Sequence, residues 1–142
     1  MEKNLRYTLG KEDKLKSRKI IEQLFNEGKS FSLFPFRIIY LLQPVNNIET
    51  DTTGKLQAGF SVGTKHFKKA VDRNRIKRLM REGYRLQKNT LETAVKNSSK
   101  DLQVFFIYTT STIPEYSIVA EKINLAIKRL QKTIDENGTK NM

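Results

Sequence analysis

The sequence predicts a single α+β domain, and three observations carry that expectation. Apolar residues recur at helical spacing near the start, the middle and the end of the chain. Between them lie short runs rich in β-branched and aromatic residues, the mark of strands. The resulting order is helix, strands, helix, strand, helix, which packs as one layered structure around one core.

Taken in order, Ile20, Ile21, Leu24 and Phe25 fall on one helical face, with Ser17 as N-cap and Gly28 as the stop. Phe34 to Leu42 reads as a strand with Phe36, Ile38 and Tyr40 on one face. The polar stretch from Gln43 to Lys55, with Pro44 and Gly54, reads as a long hairpin loop to a second strand, Leu56 to Val62. A long helix is expected over Lys68 to Lys88. Leu102 to Tyr108 is the strongest strand signal. A last helix spans Tyr116 to Ile134, with Val119, Ile123, Ala126, Leu130 and Ile134 at spacings of three and four. The domain is expected over 14–134, after an N-terminal extension (1–13) and before a disordered tail (135–142).

Composition excludes several chemistries. The 142 residues include no Cys, which removes disulfides, thiolate metal sites and a cysteine nucleophile. His66 is the single histidine, so no site can use paired imidazoles. Glu49 and Asp51 share a polar loop with no third acid nearby and read as solvated rather than metal-binding. His66, among Lys65, Lys68 and Lys69, reads as a surface residue or a contact to an anionic partner rather than a general base. No phosphate-cradling loop threads through Gly54, Gly59 or Gly63. No catalytic residue is therefore expected in the protein. No apolar run approaches the ~18 residues of a membrane span, and the first residues lack the apolar stretch of a signal peptide. A cytoplasmic location is the expectation.

Charge is the stronger signal. Lys and Arg number 27 against 15 Asp and Glu, a net charge of +12, the footprint of a polyanion binder. Most of it lies between Lys65 and Lys88, where ten cations face only Asp72 and Glu82. Helical spacing puts Ile76, Leu79, Met80, Gly83 and Leu86 in an apolar arc, with Asn74, Lys77, Arg78, Arg81, Arg85 and Lys88 opposite. Like charges one turn apart, as in Lys77–Arg81 and Arg81–Arg85, repel each other until a polyanion relieves them. A solvated face with no partner is the plainer alternative.

The run Phe67 to Glu82, with its Ala-Val-x-Arg-Asn-Arg-x-Lys-Arg-x-x-Arg core, closely resembles the signature of the bacterial ribonuclease P protein subunit family. Weaker likeness continues at Leu15, Leu24, Phe25 and Gly28, and at Gly59 to Val62. The resemblance implies a two-layer α/β sandwich with a mostly antiparallel four-stranded central sheet, three helices and a left-handed crossover around the basic helix. It implies that the chain assists a catalytic RNA, which uses bound Mg²⁺ to remove the 5′ leader of precursor tRNA. The enzyme is then a ribonucleoprotein, and its partners are that RNA and precursor tRNA, with the protein monomeric on its own. By the same resemblance, Lys65, Lys68, Lys69, Arg73, Asn74, Arg75, Lys77, Arg78, Arg81 and Arg85 contact the RNA. Phe25, Phe36 and Tyr40 line a cleft for the single-stranded leader, where bases stack on aromatics; ordinary core packing is the other reading of these three rings. The chain departs from the family at Ile21, where an aromatic is common, and at Thr64-Lys65, where two basic residues are common. Two rivals remain: a general RNA-binding or ribosome-associated module, and a DNA-binding protein. A helix-turn-helix needs two adjacent helices, whereas a strand precedes this one.

Overall fold

The computed structural model describes Gly10 and residues 13–45 and 54–140, with side chains as far as Glu136. Its elements run α1 (Arg18–Glu27), β1 (Lys29–Leu33), β2 (Phe36–Pro44), β3 (Leu56–Val62), α2 (Ala70–Gln87), α3 (Asn89–Ser98), β4 (Lys100–Tyr108) and α4 (Tyr116–Lys140). Glu49, Asp51 and most of the N-terminal extension lie outside the described residues.

The helices begin and end where their chemistry dictates. Ser17 Oγ accepts the Ile20 N–H at 3.3 Å, satisfying one orphan donor of α1. At the other end the Gly28 N–H returns to the Leu24 carbonyl at 2.8 Å. A Cβ on Gly28 would collide with the carbonyl oxygens of Leu24 and Tyr40, so only glycine lets the chain turn there into β1. Two elements escaped the sequence reading. β1 (Lys-Ser-Phe-Ser-Leu) alternates cleanly but is short, and the Phe34–Pro35 turn separates it from β2. α3 shows only Leu91 and Val95 as fully buried apolar residues, too few for a clear period. The described residues thus hold four helices rather than the expected three. α4 also continues beyond Ile134 to Lys140, where a disordered tail was expected; the helical backbone simply outlasts the apolar stripe.

The sheet order is β1-β2-β4-β3, with β1, β2 and β4 antiparallel in turn and β3 parallel to β4. This corrects the expected hairpin: β2 and β3 do not pair, because β4 lies between them. β4 is the most continuously apolar strand and so takes a central position, buried from both sides. The parallel β3–β4 pair requires a crossover, supplied by α2 and α3.

One sheet face carries the main core. Phe36, Ile38, Leu102, Val104 and Phe106 pack against Ile76, Met80 and Tyr84 of α2, Leu91 and Val95 of α3, and the apolar stripe of α4. α1 stands alone on the opposite face, where Leu24 meets Leu15 and Ile39, and Ile21, Leu41, Phe105 and Ile107 pack around them.

Candidate nucleic-acid interface

The loop entering α2 is fastened at several points. Phe67 is buried and its ring lies 6.3 Å from that of Tyr108. His66 Nδ1 and Ser111 Oγ are hydrogen-bonded at 3.3 Å. Arg73 Nη1 donates to the carbonyl oxygens of Phe67 and Lys68, at 2.8 and 2.9 Å. These bonds hold the loop against the end of β4 and leave the Lys65, Lys68 and Lys69 side chains exposed.

Along α2, Ile76, Met80, Gly83 and Tyr84 face the core. Asn74, Arg78 and Arg81 project from the opposite side and are exposed, as is Arg75 on its flank. Lys77 is half-buried. Arg85 belongs to the same face but is engaged by Glu82, which accepts from Nε at 3.1 Å and from Nη2 at 2.7 Å. That hydrogen bond holds the Glu82 carboxyl below its ordinary range and raises the Arg85 guanidinium. The stripe is therefore cationic, with one internal counter-charge.

Three sequence assignments change. Lys88 is 1% exposed and pairs with Glu92 at 3.5 Å where α2 passes into α3, so it is absent from the cationic face. Leu86 is 44% exposed, and Tyr84 takes its place in the core. The apolar arc is thus rotated toward Tyr84, whose ring meets Phe60 and Phe106 edge-on. Burial pushes the Tyr84 phenol well above its ordinary range. Arg73 spends two of its hydrogen bonds on the chain's own backbone.

The tertiary structure also adds residues. Lys14 bridges to Ala58 of β3, and the Leu15 N–H donates to the Ala58 carbonyl at 2.9 Å. This places Lys14 and Lys16 beside Arg81, around a pocket of about 140 Å³ floored by Gly59 and Phe60. Three cations from distant parts of the sequence meet there. Sequence spacing held no signal for this, because Lys14 and Lys16 precede α1.

The aromatic cleft is rearranged. Phe25 is 50% exposed and meets Phe105 edge to face at 5.5 Å. The Phe105 ring lies so close over Gly59 that a Cβ there would collide with it. Phe36 is 2% exposed and packs on Tyr108 at 5.6 Å, inside the main core. Tyr40 is half-buried on that same face, 5.9 Å from Phe31. Neither can line a cleft with α1, because even-numbered residues of β2 face α2–α4 while α1 covers Ile39 and Leu41. The ring opposite Phe25 is Phe105, which the alternation of Leu102–Tyr108 could have indicated.

Among the described residues no three His, Cys, Asp or Glu side chains gather to hold a metal ion. None of the helices in those residues is long and apolar enough to cross a membrane.

Fold and surface define a small cationic α+β protein whose outward chemistry suits a polyanion. The chain belongs to the Ribonuclease P family, whose model matches residues 9–131. It is 29% identical over 135 residues to the ribonuclease P protein component of Porphyromonas gingivalis, covering 95% of each chain. Against the corresponding protein of Chlorobaculum tepidum, identity reaches 67% over 36 residues, 25% of this chain and 23% of that one. The fold matches the RNase P protein of Thermotoga maritima with a TM-score of 0.60 at 24% identity, over 82% of this chain and 96% of that one. The Staphylococcus aureus RNase P protein gives 0.57 at 22%, over 82% and 93%.

Proposed function

We propose that this chain is the protein subunit of ribonuclease P, acting in the cytoplasm with a catalytic RNA to remove the 5′ leader of precursor tRNA. The observation that carries the reading is the fastened loop and outward face of α2, presented by a member of this family. Lys65, Lys68, Lys69, Asn74, Arg75, Arg78 and Arg81 are exposed, with Lys77 and Arg85 half-buried beside them, and in this reading they bind the RNA backbone. Arginine forks match phosphate oxygens two at a time, and lysines add point charge. Lys14, Lys16 and Arg81 together suit one phosphate group.

The leader lies on the sheet face beside α1, with bases against Phe25 and Phe105 and its backbone near the cationic surface. Among the described residues no three His, Cys, Asp or Glu side chains gather, so those residues form no all-protein cage for Mg²⁺, an ion that is held readily by phosphates and water. Mg²⁺ belongs on RNA phosphates, and the protein's part is to bind, to orient and to screen RNA–RNA repulsion. Reconstitution tests this. Protein plus its RNA should cleave precursor tRNA at lower Mg²⁺ than the RNA alone, and rigorously RNA-free protein should not cleave it. Cleavage by the protein alone would overturn the reading.

A further inference from the structure

We infer that the groove between the Phe34–Pro35 turn and the segment after β4 receives an unstacked nucleobase of the RNA subunit, a contact separate from α2 and from the α1 face. The inference rests on the ribonuclease P reading above. Its first support is a rigid frame. Thr109 donates to the Pro35 carbonyl from both its backbone N–H and its Oγ1, each at 2.9 Å. On the facing wall the Tyr108 hydroxyl donates to the Thr112 carbonyl at 2.6 Å and accepts from Thr110 Oγ1 at 3.1 Å. The space between is about 470 Å³, within the range of small-molecule sites.

The lining matches a flat ring with polar edges and an attached anion, as a nucleotide has. Phe34 is 76% exposed, an aromatic face held out on a turn bonded twice to the sheet. With the backbone of the turn already fixed, only the ring's own torsions need to be ordered when a base stacks on it. Ser32 and Thr112 offer hydroxyls for a base edge, and Lys122 is the one charged lining residue, a counter-ion for the attached phosphate. The groove also adjoins the loop that leads into α2. Its wall residue Tyr108 packs on Phe67, and Ser111 is bonded to His66, between Lys65 and Lys68. RNA engaged by that loop comes within reach of Phe34. This selects the RNA subunit, rather than the leader, as the source of the base.

The experiment uses the full chain with its RNA subunit, with and without precursor tRNA. The protein contains no Trp, so Phe34→Trp supplies a single reporter. Its fluorescence should be quenched when the RNA subunit is added. Phe34→Ala should weaken RNA-subunit affinity about 5- to 150-fold, the span of one lost base stack, by a factor that holds as salt rises. Arg78→Ala serves as the internal reference, and its loss should shrink with salt. An unquenched Trp and full affinity in Phe34→Ala, beside a weakened Arg78→Ala, would overturn this inference and leave the functional reading standing. Full affinity in all variants would overturn both. A loss confined to complexes with precursor tRNA would overturn the choice of the RNA subunit. Self-association of the wild type that Phe34→Ala abolishes, with RNA affinity intact, would assign the groove to a second copy of the chain and also overturn it.

Discussion

The Arg73 guanidinium lies 2.8 Å from the Phe67 carbonyl oxygen, so an arginine of the family signature serves the chain's own loop. It joins the first turn of α2 to the segment that displays Lys65, Lys68 and Lys69. Arg78, five residues further along α2 and exposed, has no comparable duty. Residues that look equivalent in the signature therefore divide into one that shapes the surface and one that forms it.

That division is measurable. Arg78→Ala should weaken RNA binding, leave the melting temperature unchanged and reduce the log–log salt slope by about 0.7–0.9, the value of one phosphate contact. Arg73→Ala should weaken binding and also lower stability by about 1–3 kcal/mol, because two charge-assisted bonds to the loop are lost. Salt-dependent binding curves and thermal melts of both variants check this.

Met80→Ala reports the core beneath the stripe. Met80 is fully buried between α2 and the sheet, so truncation should cost about 2–5 kcal/mol in urea unfolding. RNA affinity of the fraction that remains folded should be unaltered.

Phe25→Ala should weaken affinity for leader-bearing precursor tRNA by about 1–3 kcal/mol and leave mature tRNA binding unaffected. The half-exposed ring can leave without opening the core. Tyr40→Ala should do the reverse, lowering the melting temperature through its packing with Phe31 while not discriminating between the two RNAs. A precursor-specific loss from Tyr40→Ala would return that ring to the leader cleft.

The Glu82–Arg85 pair gives a pH signature. The Glu82 carboxyl is held below its ordinary value of 4.5 in the folded state. Its contribution to stability is therefore present above that value and is lost as pH falls through the lower folded one. Glu82→Gln should remove this acid-limb dependence, seen as a smaller gap between melting curves at pH 6 and below pH 4. At neutral pH the same variant loses the counter-charge on the stripe, so its RNA affinity should rise and its salt slope steepen.

Sequence by itself determined the family, the cationic helix, the apolar stripe of α4 and the inward Ile76, Met80 and Gly83 of α2, though not Tyr84. The reason is that helical period and a dense motif are local properties, repeated within a few residues. It also determined which residues of β2 share a face, since strand alternation is equally local. Only the tertiary structure decided what each face meets. Leu102–Tyr108 inserts between β2 and β3 because burying that apolar strand on both sides outweighs pairing neighbours in sequence, and α2–α4 cover the face that carries Phe36 and Tyr40 while α1 covers the other. The same long-range packing brought Phe105 to Phe25 and set Lys14 and Lys16 beside Arg81. It also committed Arg73 to the Phe67 and Lys68 carbonyls. Which partner a side chain finds depends on how distant elements bury their apolar faces, and no spacing within one segment records that.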